Sequence, residues 1–225
     1  MASTKLPPRQ QMINMMYLVL TAMLAMNVSK EVLDAFAIMD AELVRSERAH
    51  EQRSRVEYTV FAEAAQRFPD KFGASHQRAL RVQAMADSLV RHIQGMKLQA
   101  LASADGLEVN ALQGRDADGR DTLRALLALE AKDDRDVLTR ELVGSEPATP
   151  KQGPGTAHDL RLRIAAFRDS LKAMAGVRGQ ALASALDQLF DQGDRRDASG
   201  TWNNWESANF YDVPLAAGVA TLSKL

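Results

Sequence analysis

From Gln10 to Ser29 the chain carries no charged residue. Twenty residues in an α-helix rise about 30 Å, the hydrocarbon thickness of a bilayer. The centre, Met12 to Val28, reads MINMMYLVLTAMLAMNV, rich in Leu, Met and Ala and free of Gly and Pro. Pro7 and Pro8 suit the first turn of such a helix, where a missing N–H leaves nothing unpaired. The run therefore predicts a single membrane-spanning helix over 10–29, with 1–9 as a short tail before it. Two other readings compete. A buried core helix of this length, close to the first residue and followed by a charged run, fits poorly. A cleaved signal peptide fits better, because Lys5 and Arg9 supply a basic start, but Ala22 to Asn27 (AMLAMN) puts Met or Asn where a cleavage site needs small residues. The uncleaved anchor is the preferred reading. Lys5, Arg9 and the terminal amine, with no acid among them, orient the N-terminus to the cytoplasm and place 30–225 in the periplasm.

Gln10, Asn14, Tyr17 and Thr21 are spaced 4, 3, 4 and fall within about 60° of one another around the helix. Leu24 and Val28 continue the seam. Lipid gives no reward for polar side chains, so the seam is expected to face protein. Arg9 lies about 100° around from Gln10. Its plain role is a snorkelling anchor at the membrane edge. Its sharper role is to pair with a carboxylate on a neighbouring membrane helix, for which a permanently charged fork of donors is apt.

Beyond Ser29 the pattern stays helical. Val32, Phe36, Met39 and Leu43, then Val56, Val60 and Ala64, mark an apolar stripe on a charged background, uninterrupted by Gly or Pro until Pro69. This predicts a long stalk, bent at Asn27–Ser29. Further helices are expected over about 75–102 (Leu80, Met85, Leu89, Ile93, Met96), 121–143, 158–177 and 180–191. Gly144 to Thr156 reads as a loop from its Pro and Gly content. No stretch alternates with period two, so no sheet is expected. The fold class is all-α: one transmembrane helix followed by a periplasmic helical bundle. Trp202, Trp205, Phe210 and Tyr211 crowd into ten residues, although aromatics are 5% of the chain. They are expected to plug the core next to a helix that starts at Pro214. The helix reaches Leu225 with no capping residue, which suggests a longer natural protein.

Several functions are excluded or left without support. With no cysteine there is no disulfide, thiol chemistry or Cys-based zinc site. A net charge of −1 and the absence of a basic stripe argue against nucleic acid. The four histidines show no ligand spacing, and RDADGRD (115–121) has its glycine one step early for a calcium loop and lacks the closing Glu. It reads as a polar turn, as does DQGDRRDASG (191–200). No phosphate loop, nucleophile elbow or metal-binding helix motif occurs, so no metal, cofactor or catalytic site is expected.

Two stretches carry more. KLPPRQQMINMMYLVLTAMLAMNVSKEVLDAF, Lys5 to Phe36, closely resembles the N-terminus of the GldM/PorM family. WNNWESANFYDVPLAAGVATLSKL resembles the close of that family's first periplasmic domain. Arg45 to Arg196 matches no motif of the family and adds only helical character. The resemblance implies a homodimer in the inner membrane whose two transmembrane helices sit inside a ring of a small multi-span GldL/PorL-type subunit. Ion flow through acidic groups of that ring would drive rotation, and further, β-rich periplasmic domains would pass it to the outer-membrane machinery of type IX secretion and gliding. Arg9 matches the family's basic position facing the ring carboxylate. Gln10, Asn14, Tyr17 and Thr21 become helix or partner contacts. The chain departs from the family in having Met where Leu is common, as at Met26, a change that conserves volume. The alternatives are a bitopic helical sensor working through a partner, a membrane-anchored structural protein, and a cleaved, secreted adhesive one.

Overall fold

The computed structural model describes residues 7–26, 29–115, 121–123, 126, 130–175, 180–196 and 200–225. The protein is predominantly helical. Helix α1 (Pro8–Met26) begins on Pro7, whose carbonyl accepts from the N–H groups of Gln10 and Gln11. The expected bend lies on Asn27 and Val28, outside the described residues. Ser29 caps α2 (Lys30–Arg67), its hydroxyl accepting from the Val32 N–H, so the stalk is a separately capped helix.

Helix α2 ends where Pro69 forbids helical geometry to the residue before it. Phe68 sits at φ −136°, ψ 70°. Pro69 then serves as the first residue of α3 (Pro69–Asp105), six residues ahead of the expected start. Gly73, which has open space around it, does not interrupt the helix. The two long helices form an antiparallel hairpin. Asp40 meets Lys97, Tyr58 donates to the Ala79 carbonyl at 3.1 Å, and Phe61 packs edge-on against His76 and Phe72. Gly106, at φ +61°, ends α3 in the left-handed conformation that a Cβ disfavours, and Leu107 N–H reaches back to the Ala102 carbonyl.

The rest of the chain packs on one end of this hairpin. It comprises α4 (Val109–Leu112), α5 (Asp136–Leu138) running into a π-helical turn (Thr139–Val143), α6 (Ala157–Ala175), α7 (Gln180–Leu189), α8 (Trp205–Phe210) and α9 (Leu215–Lys224). One core joins Leu33 and Ala37 of α2, Ile93 to Ala102 of α3, Val137 to Val143, Leu160 and Ile164, Trp205, Phe210 and the inner face of α9. No described residue of α1 belongs to that core.

Three expectations are corrected. Two small antiparallel hairpins exist, β1 (Gln113–Arg115) with β2 (Asp121–Leu123), and β3 (Arg195–Arg196) with β4 (Trp202–Asn203). Strands of two or three residues leave no period to detect. The interior of RDADGRD, 116–120, lies outside the described residues. A continuous helix over 121–143 does not form. The Asp134 carboxylate accepts from the N–H groups of Asp136 and Val137, and a helix starts only there. Leu127 and Leu129 of that expected helix lie outside the described residues. Finally, the buried stripe of α2 is Leu33, Ala37 and Ala65, one residue around from the expected one, while Val32, Met39, Val56 and Val60 are exposed. The loop at 144–156 stands as expected; the helix expected over 158–177 is described as Ala157–Ala175, with 176 and 177 outside the described residues, and the one expected over 180–191 ends at Leu189.

Candidate functional site

Arg9, Gln10, Asn14, Tyr17 and Thr21 are all exposed on α1, and the helical spacing keeps the last four on one face. Among the described residues no carboxylate lies within ion-pair distance of Arg9. The Thr21 hydroxyl donates to its own helix, 2.7 Å from the Tyr17 carbonyl and 3.0 Å from that of Leu18, so its proton is not free for a lateral partner. Around the seam the helix is apolar on every side and exposed: Met12, Met15, Met16, Leu18 and Leu20 all lie more than half open. Among the described residues no helix is long and apolar enough to cross a membrane. The reason is visible in α1, whose first turn is Pro8, Arg9, Gln10 and Gln11 and whose described part stops at Met26. Leu24 and Val28, the upper end of the seam, have no described side chains.

A second feature binds α2 to the bundle. Lys97 is only 6% exposed. Its ammonium donates to the Ser223 hydroxyl at 2.5 Å and lies 3.6 Å from the Asp40 carboxylate. Ser223 in turn donates to Asp40 and to the Val219 carbonyl. The cluster joins α2, α3 and α9. Nearer the start of α2, Asp34 accepts from Lys132 at 2.7 Å. That hydrogen bond holds the Asp34 carboxyl below its ordinary range. The Lys132 and Asp134 carbonyls accept from the first N–H groups of α9, those of Ala216 and Leu215, which satisfies donors that a helix start leaves open. A Cβ placed on Gly218 would lie 2.0 Å from Leu138, so α9 approaches α5 as closely as glycine permits.

A third polar centre sits between α6 and α8. Glu206, 1% exposed, receives Arg161 at 2.9 Å and faces His158 Nδ1 at 3.0 Å. Arg161 also donates to the Gln192 carbonyl and to Asp194. Both Glu206 oxygens are thus occupied, and among the described residues neither a hydroxyl nor a thiol nucleophile is hydrogen-bonded to the His158–Glu206 pair. Close by, His92 lies 3.4 Å from Asp159. Burial and the Arg163 charge push the His92 pKa down, against the opposing pull of Asp159. Burial alone would raise the Asp159 carboxyl, but the Gly155 N–H and Arg163 outweigh it and hold it low. An open surface cleft of about 560 Å³ runs past His158, Arg161, Leu162, Arg168 and Gln192. Its arginines are already paired, with Glu206 and Asp194 in one case and Asp169 in the other. Among the described residues no cluster of His, Asp or Glu is arranged to hold a metal ion.

Of the aromatic cluster, Trp205 and Phe210 plug the core edge-on at 5.8 Å, Tyr211 packs beside it, and Trp202 stays exposed under Arg196. Lys97, Asp40 and Glu206 were not singled out by sequence. A signal for the first two exists: each stands on a helical apolar stripe, Lys97 four residues after Ile93 and Asp40 three after Ala37.

The family model described as the GldM N-terminal domain matches residues 31–225, from the first turn of α2 through α9. No curated protein matches the chain.

Proposed function

The chain belongs to the GldM family, a component of gliding motility and type IX secretion, and we propose that it is the membrane-anchored subunit of an ion-driven motor serving both. The observation that carries this reading is α1, an exposed helix that is apolar on all sides save one polar seam and precedes the capped start of α2 in the chain. Burying one Leu or Met side chain is worth about 2 kcal/mol. The five exposed side chains of α1 named above together represent on the order of 10 kcal/mol, comparable with the whole stability of a domain. A helix of this kind needs an apolar surrounding. In this reading the surrounding is the inner membrane and, along the seam, protein.

The N-terminus then lies in the cytoplasm and α2 to α9 in the periplasm. Two copies associate, and the exposed apolar stripe of α2 at Val32, Met39, Val56 and Val60 supports such pairing. A ring of a small multi-span GldL/PorL-type subunit surrounds the paired α1 helices. Arg9 faces an acidic group of that ring, while Gln10, Asn14, Tyr17 and Thr21 contact the ring or the second copy. An Arg-paired carboxylate favours its ionised form, so each protonation loosens the pair and each deprotonation restores it. Passing this pairing from one ring subunit to the next turns the dimer. The chain itself catalyses no covalent step.

Arg9→Ala tests the reading. With the complex intact by pull-down, gliding and secretion are expected to stop. Full motility in that variant would remove Arg9 from the mechanism.

A further inference from the structure

The motor reading requires that a displacement of α1 reach the periplasmic domain without being lost inside it, and the inference here rests on that reading. The weak point is α2, the helix next to the membrane. Its fully buried contribution at the membrane-proximal end is Leu33 and Ala37, with Phe36 packed beside them, and α9 contributes Leu215, Ala216, Val219 and Leu222 to the same core. Apolar contact is non-directional, so it holds the helices together without a bond that fixes one register along the axis. A pull on α2 would slip it along α3 and α9.

Two polar clasps, one buried and one partly exposed, oppose that motion. Asp40, Lys97 and Ser223 tie α2, α3 and α9 at one level. Asp34 and Lys132 tie α2 to the loop that also receives the first turn of α9. The clasps are six residues apart on α2, about 9 Å along its axis. A slip of α2 by one residue, about 1.5 Å, would carry the Asp40 carboxylate away from both Lys97 and Ser223 and lengthen the Asp34–Lys132 contact, leaving the Lys97 ammonium, 6% exposed, with the Ser223 hydroxyl but without its counter-charge. Apolar contacts tolerate such a shift; a desolvated ion pair does not. Buried pairs of this kind contribute little net stability compared with apolar replacements, and their best-attested use is to fix register.

We propose that the Asp40–Lys97–Ser223 cluster is a register lock that makes α2, α3 and α9 move as one body with the membrane helix, with Lys97 as its positioning residue. The test separates register from stability. Asp40→Leu with Lys97→Met replaces both charges by apolar groups of similar size, and Ser223 keeps its bond to the Val219 carbonyl. The thermal midpoint is expected to stay at or above that of the unaltered chain, and the complex to assemble, while gliding speed falls roughly tenfold. Lys97→Arg, which keeps the charge, is expected to retain most of the speed. The chain has no cysteine, so spin labels on Glu42→Cys and Lys224→Cys, in labelled chain diluted with an excess of unlabelled chain, report the α2–α9 distance within one copy. One narrow distance is expected with the lock and a broadened distribution without it. A midpoint well below that of the unaltered chain would make the cluster a stabiliser and overturn the lock, as would normal gliding or an unbroadened distance in the double variant. Deletion of the whole chain keeps the two claims apart. If deletion leaves gliding and secretion intact, the motor reading fails. If deletion stops both but the double variant does not, only the lock fails.

Discussion

Arg161 closes over Glu206. Its guanidinium donates to the buried carboxylate at 2.9 Å and, with a second nitrogen, reaches the Gln192 carbonyl and Asp194. One side chain thereby ties α6 to the first turn of α8 and to the segment before β3. Truncating Arg161 to Ala leaves Glu206 buried with only His158 beside it. Stranding one partner of such a pair costs about 3 kcal/mol. Chemical denaturation should show that loss, whereas Arg163→Ala, on the exposed side of the same helix, should cost well under half as much.

Glycines 95 and 218 both lie inside helices and should respond oppositely to Ala. Gly95 has open space where a Cβ would go, so Gly95→Ala should stabilise the domain by up to about 1 kcal/mol. At Gly218 the new Cβ would lie 2.0 Å from the Leu138 side chain, which is fully buried and would have to shift within the core. Overpacking there should cost about 1–3 kcal/mol. Thermal melts of the two variants suffice to check both signs.

His92 has a folded pKa below its unfolded value, so the unfolded chain takes up a proton more readily. The stability this group contributes is present above the ordinary histidine range and is lost as pH falls below about 6.5. Asp159, also held low, withdraws its share only at more acidic pH, below about 4. Melts at pH 7.5 and 5.5 should show a smaller difference for His92→Gln than for the unaltered chain. An equal difference would mean that His92 does not titrate as its surroundings dictate.

Because α1 adds nothing to the core among the described residues, 30–225 should fold without it. The shortened chain is expected to keep the thermal midpoint of the full one within about 2 °C and to leave the membrane fraction. A lowered midpoint would mean that α1 packs on the bundle.

The helical class, the hairpin's break at Pro69 and the core role of Trp205 and Phe210 were all legible, because period, proline geometry and aromatic crowding are local signals. What failed was tertiary. The leucines of 121–143 stand at helical spacing, yet spacing records burial and not conformation. Leu138 and Leu142 are buried from a short helix that begins only after Asp134, and Leu126 is buried without belonging to it. On α2 two apolar stripes compete, and the sequence does not say that the one with Ala37 meets α9. The Lys97 clasp needed a partner, Ser223, that lies 126 residues away, beyond any local pattern. The seam of α1 was readable as a face, and among the described residues none covers it.

The most direct test of the motor reading is native mass spectrometry of the complex pulled from membranes in mild detergent. Two copies of this chain held with several copies of a small multi-span membrane protein are expected. A lone monomer or homodimer under the same conditions would contradict it and leave the polar seam of α1 as a contact between two copies or none.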